Sequence, residues 1–257
     1  FIEGEAGTGK TVLNSSTFYE LFCRYEEAKN NNEDLIDETS NCFLLVNHDE
    51  QITVYNQIAD KLGLTDKYGQ VVYKPTSFIN KYSVDNPVDV VFVDEAHLLL
   101  TQGKQSYRGN NQLEDILKRA RVVVVMFDED QILTTEQYWE DELLEKYKNI
   151  AIKNGNYIKL ENQLRMHANE DVIEWINSFT KKGIIRQLPA DLGDYEIKIF
   201  DTPEELEEQI LKKSLKDETK LSRLIATYDW PYNSNKKSKK DFKYWEVKIG
   251  KWHKPWN

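Results

Sequence analysis

Two runs of β-branched residues constrain the fold of this 257-residue chain more than any other feature. They are VDVVFV at residues 88–93 and RVVVVMF at residues 121–127, and they contain few polar positions. A strand with one wet face alternates in polarity, whereas a strand buried on both faces of a parallel sheet is apolar almost throughout. The two runs therefore predict neighbouring strands of a parallel sheet that is flanked by helices.

Shorter segments extend this pattern in both directions along the chain. Predicted strands cover residues 1–3, 42–46, 71–73 and 157–160, and predicted helices cover residues 10–29, 50–62, 77–82, 135–147 and 168–180. A weaker continuation has predicted strands at residues 196–200 and 223–227, with a helix that Thr202 can cap between them. Alternating strands and helices indicate an α/β fold. We expect one domain over residues 1–150 and a second over residues 151–257.

A glycine-rich segment, GEAGTGKT, lies between the first predicted strand and the first predicted helix. It matches the pattern G-x-x-x-x-G-K-[ST] in full, with Gly4, Glu5, Ala6, Gly7, Thr8, Gly9, Lys10 and Thr11. Glycines let backbone N–H groups turn inward around phosphate oxygens, and the N-terminus of the next helix faces the same anion. In this pattern the lysine contacts the β and γ phosphates and the Thr hydroxyl ligates Mg²⁺. The segment predicts a nucleotide site with Lys10 as a catalytic residue and Thr11 as a metal ligand.

A pair of carboxylates, Asp94 and Glu95, directly follows the run VDVVFV. Side chains at the carboxyl ends of parallel strands face the crevice in which ligands bind. Asp94 can hold Mg²⁺, directly or through water, and Glu95 can orient and deprotonate the attacking water. The alternative, a solvated surface pair, is weakened by the glycine-rich segment that precedes it by about eighty residues.

Polar residues after two further strands complete the expected site. Gln131 follows the run RVVVVMF and can reach the γ-phosphate or the attacking water. Arg165 lies between a predicted strand and a predicted helix, where it could face the triphosphate across a cleft. An arginine in that role contributes about 10³–10⁵ in rate. The alternatives are a loop position for Gln131 and a structural helix-start position for Arg165.

These segments together resemble the motifs of superfamily 1 DNA/RNA helicases, and specifically a bacterial Schlafen-like ATPase family labelled as a domain of unknown function. GEAGTGKT is similar to motif I, VDEAHLL to motif II, DEDQ (residues 128–131) to motif III and LENQLRM (residues 160–166) to motif IV. FLLVNHDEQ (residues 43–51) lies where motif Ia would lie, and KPTSFI (residues 74–79) resembles the next nucleic-acid motif. RLIATYDWPY and KWHKPWN are similar to landmarks of the Schlafen-like subfamily.

The resemblance spans essentially the whole chain and implies a RecA-like P-loop NTPase. It implies ATP and Mg²⁺ in the cleft between two RecA-like domains, the second incomplete, and single-stranded DNA or RNA across the top. Motif III usually has Gly where this chain has Phe127. The two C-terminal motifs do not follow KWHKPWN, and no adenine-binding glutamine segment precedes Phe1. We therefore expect the chain to be an internal fragment of a longer protein.

Candidate nucleic-acid contacts follow from position alone. They are Asn47, His48, Thr76, Ser77 and His97. Four late tryptophans, Trp230, Trp245, Trp252 and Trp256, could stack on bases, although aromatic residues at this density are more often core. The basic run NSNKKSKKDFK at residues 233–243 is either a solvated loop or a phosphate-contacting loop.

Composition limits the partners and the compartment. The 44 acidic and 34 basic residues give a net charge of −10, so nucleic acid could bind only through a local groove or patch. Cys23 and Cys42 lack metal or redox spacing and predict reduced thiols. No apolar run approaches the roughly 20 residues of a membrane span, and no signal peptide is present. We expect a cytoplasmic protein with no membrane partner.

Three functional hypotheses fit these features. The first is a nucleic-acid-stimulated ATPase, a helicase-like motor, which the four motifs favour. The second is a nucleotide-gated switch that acts on a protein partner in defence or regulation, which the acidic net charge favours. The third is a small-molecule kinase, which shares only the glycine-rich segment and is disfavoured by the carboxylate pair and Gln131.

Overall fold

A parallel sheet forms the centre of the first of two compact units, which comprise Phe1–Gly193 and Asp194–Asn257. The structure is a computed structural model that describes residues 1–31, 41–103, 107–131, 137–162, 164, 168–193, 195–216, 222–227, 229–230 and 246–255. The strands of the first unit are β1 (Ile2–Gly4), β2 (Cys42–Leu45), β3 (Val72–Tyr73), β4 (Val88–Val93), β5 (Ala120–Phe127) and β6 (Ile158–Leu160). Its helices are α1 (Lys10–Asn30), α2 (Asp49–Lys61), α3 (Leu64–Tyr68), α4 (Pro75–Lys81), α5 (Gln112–Leu117), α6 (Asp141–Lys153) and α7 (Glu170–Thr180), with a 3-10 turn at Ala96–Leu98.

The six strands pair in the order β3-β2-β4-β5-β1-β6, and all the pairs are parallel. The two β-branched runs lie side by side near the centre, with Val91 opposite Val123 and Val93 opposite Val125. The expectation of a parallel sheet flanked by helices is therefore confirmed. β1, the short strand before the glycine-rich segment, lies between β5 and β6.

The sheet is buried on both faces, as its strand composition predicts. Phe43 and Leu45 of β2 belong to one apolar cluster, while the intervening Leu44 belongs to another. The same alternation separates Val91 from Phe92 in β4. Because successive side chains of a strand point to opposite faces, these two clusters lie on the two sides of the sheet.

Local signals account for where several helices begin. Pro75 is the first residue of α4, where its missing N–H costs no hydrogen bond. The side chain of Asn169 accepts a hydrogen bond from the backbone N–H of Val172 and caps α7. Within the described ranges, no helix is both long and apolar enough to cross a membrane.

The second unit differs from the sequence expectation. It contains α8 (Pro203–Ser214), capped by Thr202 as predicted, and an antiparallel hairpin of β7 (Glu246–Ile249) and β8 (Trp252–Pro255). Residues 196–200 and 223–227 were expected to be strands, but they form no strand. The side chains of Ile199 and Ile225 are 93 % and 92 % exposed, so these apolar segments are not buried against a sheet.

The division between the two units falls at residue 193, later than the expected boundary at residue 150. The difference arises because β6 pairs with β1: Ile2 lies opposite Ile158 and Gly4 opposite Leu160. Residues 158–160 thus complete the first sheet. The assignment of the remainder to a second RecA-like domain stays a prediction.

Phe78 provides a test of the core packing. Its side chain is fully buried in the cluster that contains Phe43 and Val91. We expect Phe78→Ala to lower the free energy of unfolding by about 3–5 kcal/mol, because it removes buried apolar area and leaves a cavity. Ile150→Ala, at a half-exposed position of α6, should change it by about 0.5 kcal/mol or less. Urea denaturation measures both, and equal losses would contradict the assignment of Phe78 to the core.

Candidate functional site

The carboxyl ends of four adjacent strands bring the predicted site residues to one edge of the sheet. Asp94 follows β4, Asp128 follows β5, the glycine-rich loop follows β1, and Glu161 follows β6. The sheet order places these strands next to one another as β4-β5-β1-β6. Residues separated by up to 157 positions in the chain therefore lie along one crevice.

The glycine-rich loop between β1 and α1 is folded tightly around its own backbone. Thr8 donates from its side-chain hydroxyl to the carbonyl of Glu5, at 2.8 Å. A Cβ atom on Gly4 would lie 2.5 Å from that Thr8 hydroxyl and 3.1 Å from Cβ of Leu160, so a larger residue there would force the loop contacts to shift. Gly9 has φ of 87°, in the left-handed region that glycine adopts without strain. The loop thus needs glycine at positions 4 and 9 for two different reasons.

Lys10 is buried, with 8 % of its surface exposed, and its ammonium points back into the loop. Its Nζ lies 2.6 Å from the carbonyl oxygen of Gly4 and 2.8 Å from that of Glu5. It also lies 3.2 Å from Oδ2 of Asp128. An ammonium group has three N–H donors, so these three acceptors use all of them.

Asp128 forms hydrogen bonds with both Lys10 and the predicted Gln131. Its side chain is almost fully buried, and Oδ2 accepts from Nε2 of Gln131 at 2.7 Å as well as from Lys10. Oδ1 accepts from the backbone N–H of Asp130 at 3.2 Å. The structure therefore brings Gln131 next to the contacts of Lys10 through a carboxylate that sequence reasoning did not assign.

Asp94 lies on the neighbouring strand end and is almost fully buried. Its Oδ2 accepts a hydrogen bond of 2.7 Å from the hydroxyl of Tyr55, on α2. Its Oδ1 accepts from the backbone N–H of Glu95 at 3.1 Å. A carboxylate has about four lone-pair sites, so it retains capacity for a cation.

Glu95 has a strained backbone, with φ of 49° and ψ of 50°. Among the described residues it is the one non-glycine residue with positive φ. Such conformations cost about 1–3 kcal/mol and cluster at functional sites. Its Oε2 is buried and has no hydrogen-bond partner among the described atoms; Nε2 of His48 lies 3.9 Å away. Glu95 thus presents an acceptor that a bound water or ligand could satisfy.

His97 follows the carboxylate pair but is only 2 % exposed. Burial lowers the pKa of His97 to about 4, so its imidazole is neutral at pH 7. Neither ring nitrogen has a hydrogen-bond partner within the described part of the chain. The expectation that His97 contacts nucleic acid does not fit this buried position.

Of the other nucleic-acid candidates, His48 and Ser77 are exposed, while Thr76 accepts a hydrogen bond from Gln112.

Several predicted residues lie outside the described residues. They include Arg165, two of the late tryptophans, Trp245 and Trp256, and the basic run at residues 233–243. Arg165 thus keeps its predicted role as a hypothesis. The preceding residue, Leu164, is described, and the backbone N–H of Leu164 donates to the carbonyl of Gly7 at 2.9 Å. That bond ties the segment after β6 directly to the glycine-rich loop.

Lys181 is a second residue that sequence reasoning missed. It follows α7 and forms ion pairs with Glu5 of the glycine-rich loop and, at 2.9 Å, with Asp130. These carboxylates raise the pKa of Lys181, although burial alone would lower it. No local pattern identifies Lys181, because its partners are 176 and 51 positions away in the chain. Asp128 did carry a usable signal, since it is the first polar residue after a buried strand, as Asp94 is.

A comparison of the sequence with known protein families gives a match over the whole chain. The family described as Schlafen group 3, DNA/RNA helicase domain, matches residues 1–257. The uncharacterized protein YPL245W of Saccharomyces cerevisiae is 32 % identical in an alignment over 251 residues. The match covers 90 % of this chain and 54 % of that protein. This chain therefore spans about half the length of its yeast relative. Since the family match covers every residue, the chain belongs to the Schlafen group 3 DNA/RNA helicase domain family.

Proposed function

We propose that this chain binds and hydrolyses ATP with Mg²⁺, and that hydrolysis is coupled to binding or translocation of single-stranded nucleic acid. The observation that carries the proposal is the convergence at one sheet edge of the glycine-rich loop, the Lys10–Asp128–Gln131 cluster and the Asp94–Glu95 pair. Membership of a DNA/RNA helicase domain family supports the same function. In this proposal the fold is a RecA-like P-loop NTPase of superfamily 1.

Nucleotide binding begins with an exchange of partners at Lys10. All three of its donors are occupied within the protein, so a phosphate must replace at least one of Gly4, Glu5 and Asp128. A charge-assisted contact with phosphate is stronger than one with a carbonyl, which favours the exchange. Backbone N–H groups of residues 4–11 and the N-terminus of α1 would hold the remaining phosphate oxygens.

Glu95 is the proposed general base. Its buried, unpartnered oxygen would accept a proton from the attacking water, and its strained backbone suggests a position maintained for that purpose. Gln131 would orient the same water or contact the γ-phosphate once Lys10 leaves Asp128. Arg165 would stabilise the charge that develops on the transferred phosphate.

The proposed Mg²⁺ ligands are the hydroxyl of Thr11, on the first turn of α1, and the carboxylate of Asp94. The described residues contain no cluster of three or more His, Cys, Asp or Glu side chains suited to a metal. Mg²⁺ is usually held by one or two protein ligands together with phosphates and water, so these two residues fit it. The ion would neutralise charge on the β and γ phosphates.

Nucleic acid would lie near the segment that follows β2. There Asn47 and the half-exposed His48 precede α2, and Ser77 is exposed on α4. Because the chain has a net charge of −10, nucleic acid would be held locally, by amide, hydroxyl and imidazole groups.

The alternative function is a nucleotide-gated switch that acts on a protein partner. We propose the cytoplasm as the compartment.

Lys10 provides the first test. We expect Lys10→Ala to weaken ATP binding by about 100-fold or more, because removal of a buried charge partner typically costs about 2–5 kcal/mol. Titration of a fluorescent ATP analogue measures the affinity. Lys61→Ala, at an exposed position of α2, is the matched control and should bind as the unmodified protein does. Equal affinities for the two variants would remove Lys10 from the site.

Glu95 provides the second test. We expect Glu95→Gln to bind ATP with near-normal affinity and to hydrolyse it about 10²–10⁴-fold more slowly, because glutamine cannot accept the proton. Single-turnover release of phosphate separates hydrolysis from binding. Glu142→Gln makes the same change at an exposed position of α6 and should retain turnover. A Glu95→Gln variant with normal turnover would show that another group is the base.

The nucleic-acid part of the proposal is tested separately, on the full-length protein. Single-stranded oligo(dT) and poly(U) should bind, as measured by fluorescence anisotropy, and should raise the rate of phosphate release. If neither polymer binds or stimulates, the motor proposal fails, and a partner captured only with ATP would favour the switch. A phosphorylated small molecule formed without phosphate release would favour a kinase.

A further inference from the structure

Tyr55 connects α2 to the proposed magnesium ligand. It is buried, with 7 % of its surface exposed, and its hydroxyl lies 2.7 Å from Oδ2 of Asp94. The hydroxyl of Ser15, one turn after Thr11 on α1, lies 3.4 Å from the same phenol oxygen. Tyr55 therefore touches both chain segments that carry the proposed Mg²⁺ ligands.

The direction of the hydrogen bond follows from the chemistry of the two groups. A carboxylate accepts only, so the phenol donates its single proton to Asp94. The Ser15 hydroxyl donates its one proton to the carbonyl of Thr11 at 2.7 Å, and the phenol oxygen of Tyr55 lies beside it.

Asp94 is consequently held at both of its oxygens. Tyr55 fixes Oδ2, and the backbone N–H of Glu95 fixes Oδ1. A carboxylate fixed in this way cannot rotate, so its remaining lone pairs have a defined direction. Groups that hydrogen-bond a metal ligand orient it, and their loss commonly weakens metal affinity by about 10–100-fold.

We propose that Tyr55 is a positioning residue that orients the carboxylate of Asp94 for Mg²⁺. The inference rests on the proposed function, since it assigns a second contact to the same site. Tyr55 touches neither nucleotide nor the attacking water in this role. It acts through Asp94, and its loss should change the requirement for Mg²⁺ more than the affinity for nucleotide.

The chain contains a matched control for this inference. Tyr107 is equally buried, at 3 % exposure, and its hydroxyl also bonds a carboxylate, Oδ2 of Asp115, at 2.6 Å. That pair connects the segment before α5 to α5 itself and includes none of the proposed nucleotide or metal ligands. Tyr55→Phe and Tyr107→Phe therefore remove the same group from similar surroundings, and each leaves the ring in place.

The experiment measures two quantities across a range of Mg²⁺ concentrations with the full-length protein: binding of a fluorescent ATP analogue and ATP turnover. We expect Tyr55→Phe to raise the half-saturating Mg²⁺ concentration by about 10-fold, with turnover restored at high Mg²⁺. Tyr107→Phe should leave that concentration within about 2-fold of the unmodified value. Thermal unfolding of both variants verifies that each remains folded under the assay conditions.

Three results would overturn the inference. An unchanged half-saturating Mg²⁺ concentration in Tyr55→Phe would show that Asp94 needs no such orientation, and equal increases in both variants would show a general loss of structure. Turnover by the unmodified protein without Mg²⁺ would instead reject the metal site of the proposed function, and the role of Tyr55 with it. Normal Mg²⁺ dependence in the unmodified protein with no effect of Tyr55→Phe rejects the role of Tyr55 alone.

Discussion

The placement of β1 between β5 and β6 is the constraint on which the rest of the site depends. Ile2 pairs with Met126 on one side and with Ile158 on the other, so the loop after β1 emerges between two other strand ends. Backbone hydrogen bonds in a parallel sheet fix the register, and the register fixes which side chains meet beyond the strands. Lys10 can reach Asp128 only because this pairing aligns Gly4 with the end of β5.

The charged and polar side chains at this edge form a network in which two donors share one carboxylate oxygen. Lys10 and Gln131 both donate to Oδ2 of Asp128, so movement of one changes the surroundings of the other. Isolated burial of any of these charges would be costly, and mutual pairing offsets the desolvation. In the proposed function, phosphate binding would draw Lys10 away and leave Gln131 as the remaining side-chain donor to that oxygen. That change would link occupancy of the loop to the position of Gln131 without a large movement of the backbone.

Sequence alone predicted the features that local chemistry determines. The apolar runs predicted two central strands, and both lie side by side in the sheet. The glycine pattern predicted a strand–loop–helix unit, which β1 and α1 form. Prediction failed where tertiary packing decides, since residues 196–200 have an apolar strand-like pattern but form no strand, and Ile199 is exposed. Tyr55 and Lys181 could not be predicted, because their partners lie 39 or more positions away and no local pattern identifies them.

The charges that line the crevice affect whether the proposed site would accept a free nucleotide or its complex with a divalent cation. A cavity of about 440 Å³ beside the glycine-rich loop is lined by Glu3, Glu5, Asp128, Glu129, Asp130 and Glu161, with Lys159 and Lys181 as its two basic residues. A free triphosphate would meet repulsion from these carboxylates at short range, where screening by salt is weak. A triphosphate that arrives with a divalent cation carries less charge, and Lys10 can then compensate more of what remains. In the proposed function, these acidic surroundings would therefore favour the metal complex over the free nucleotide.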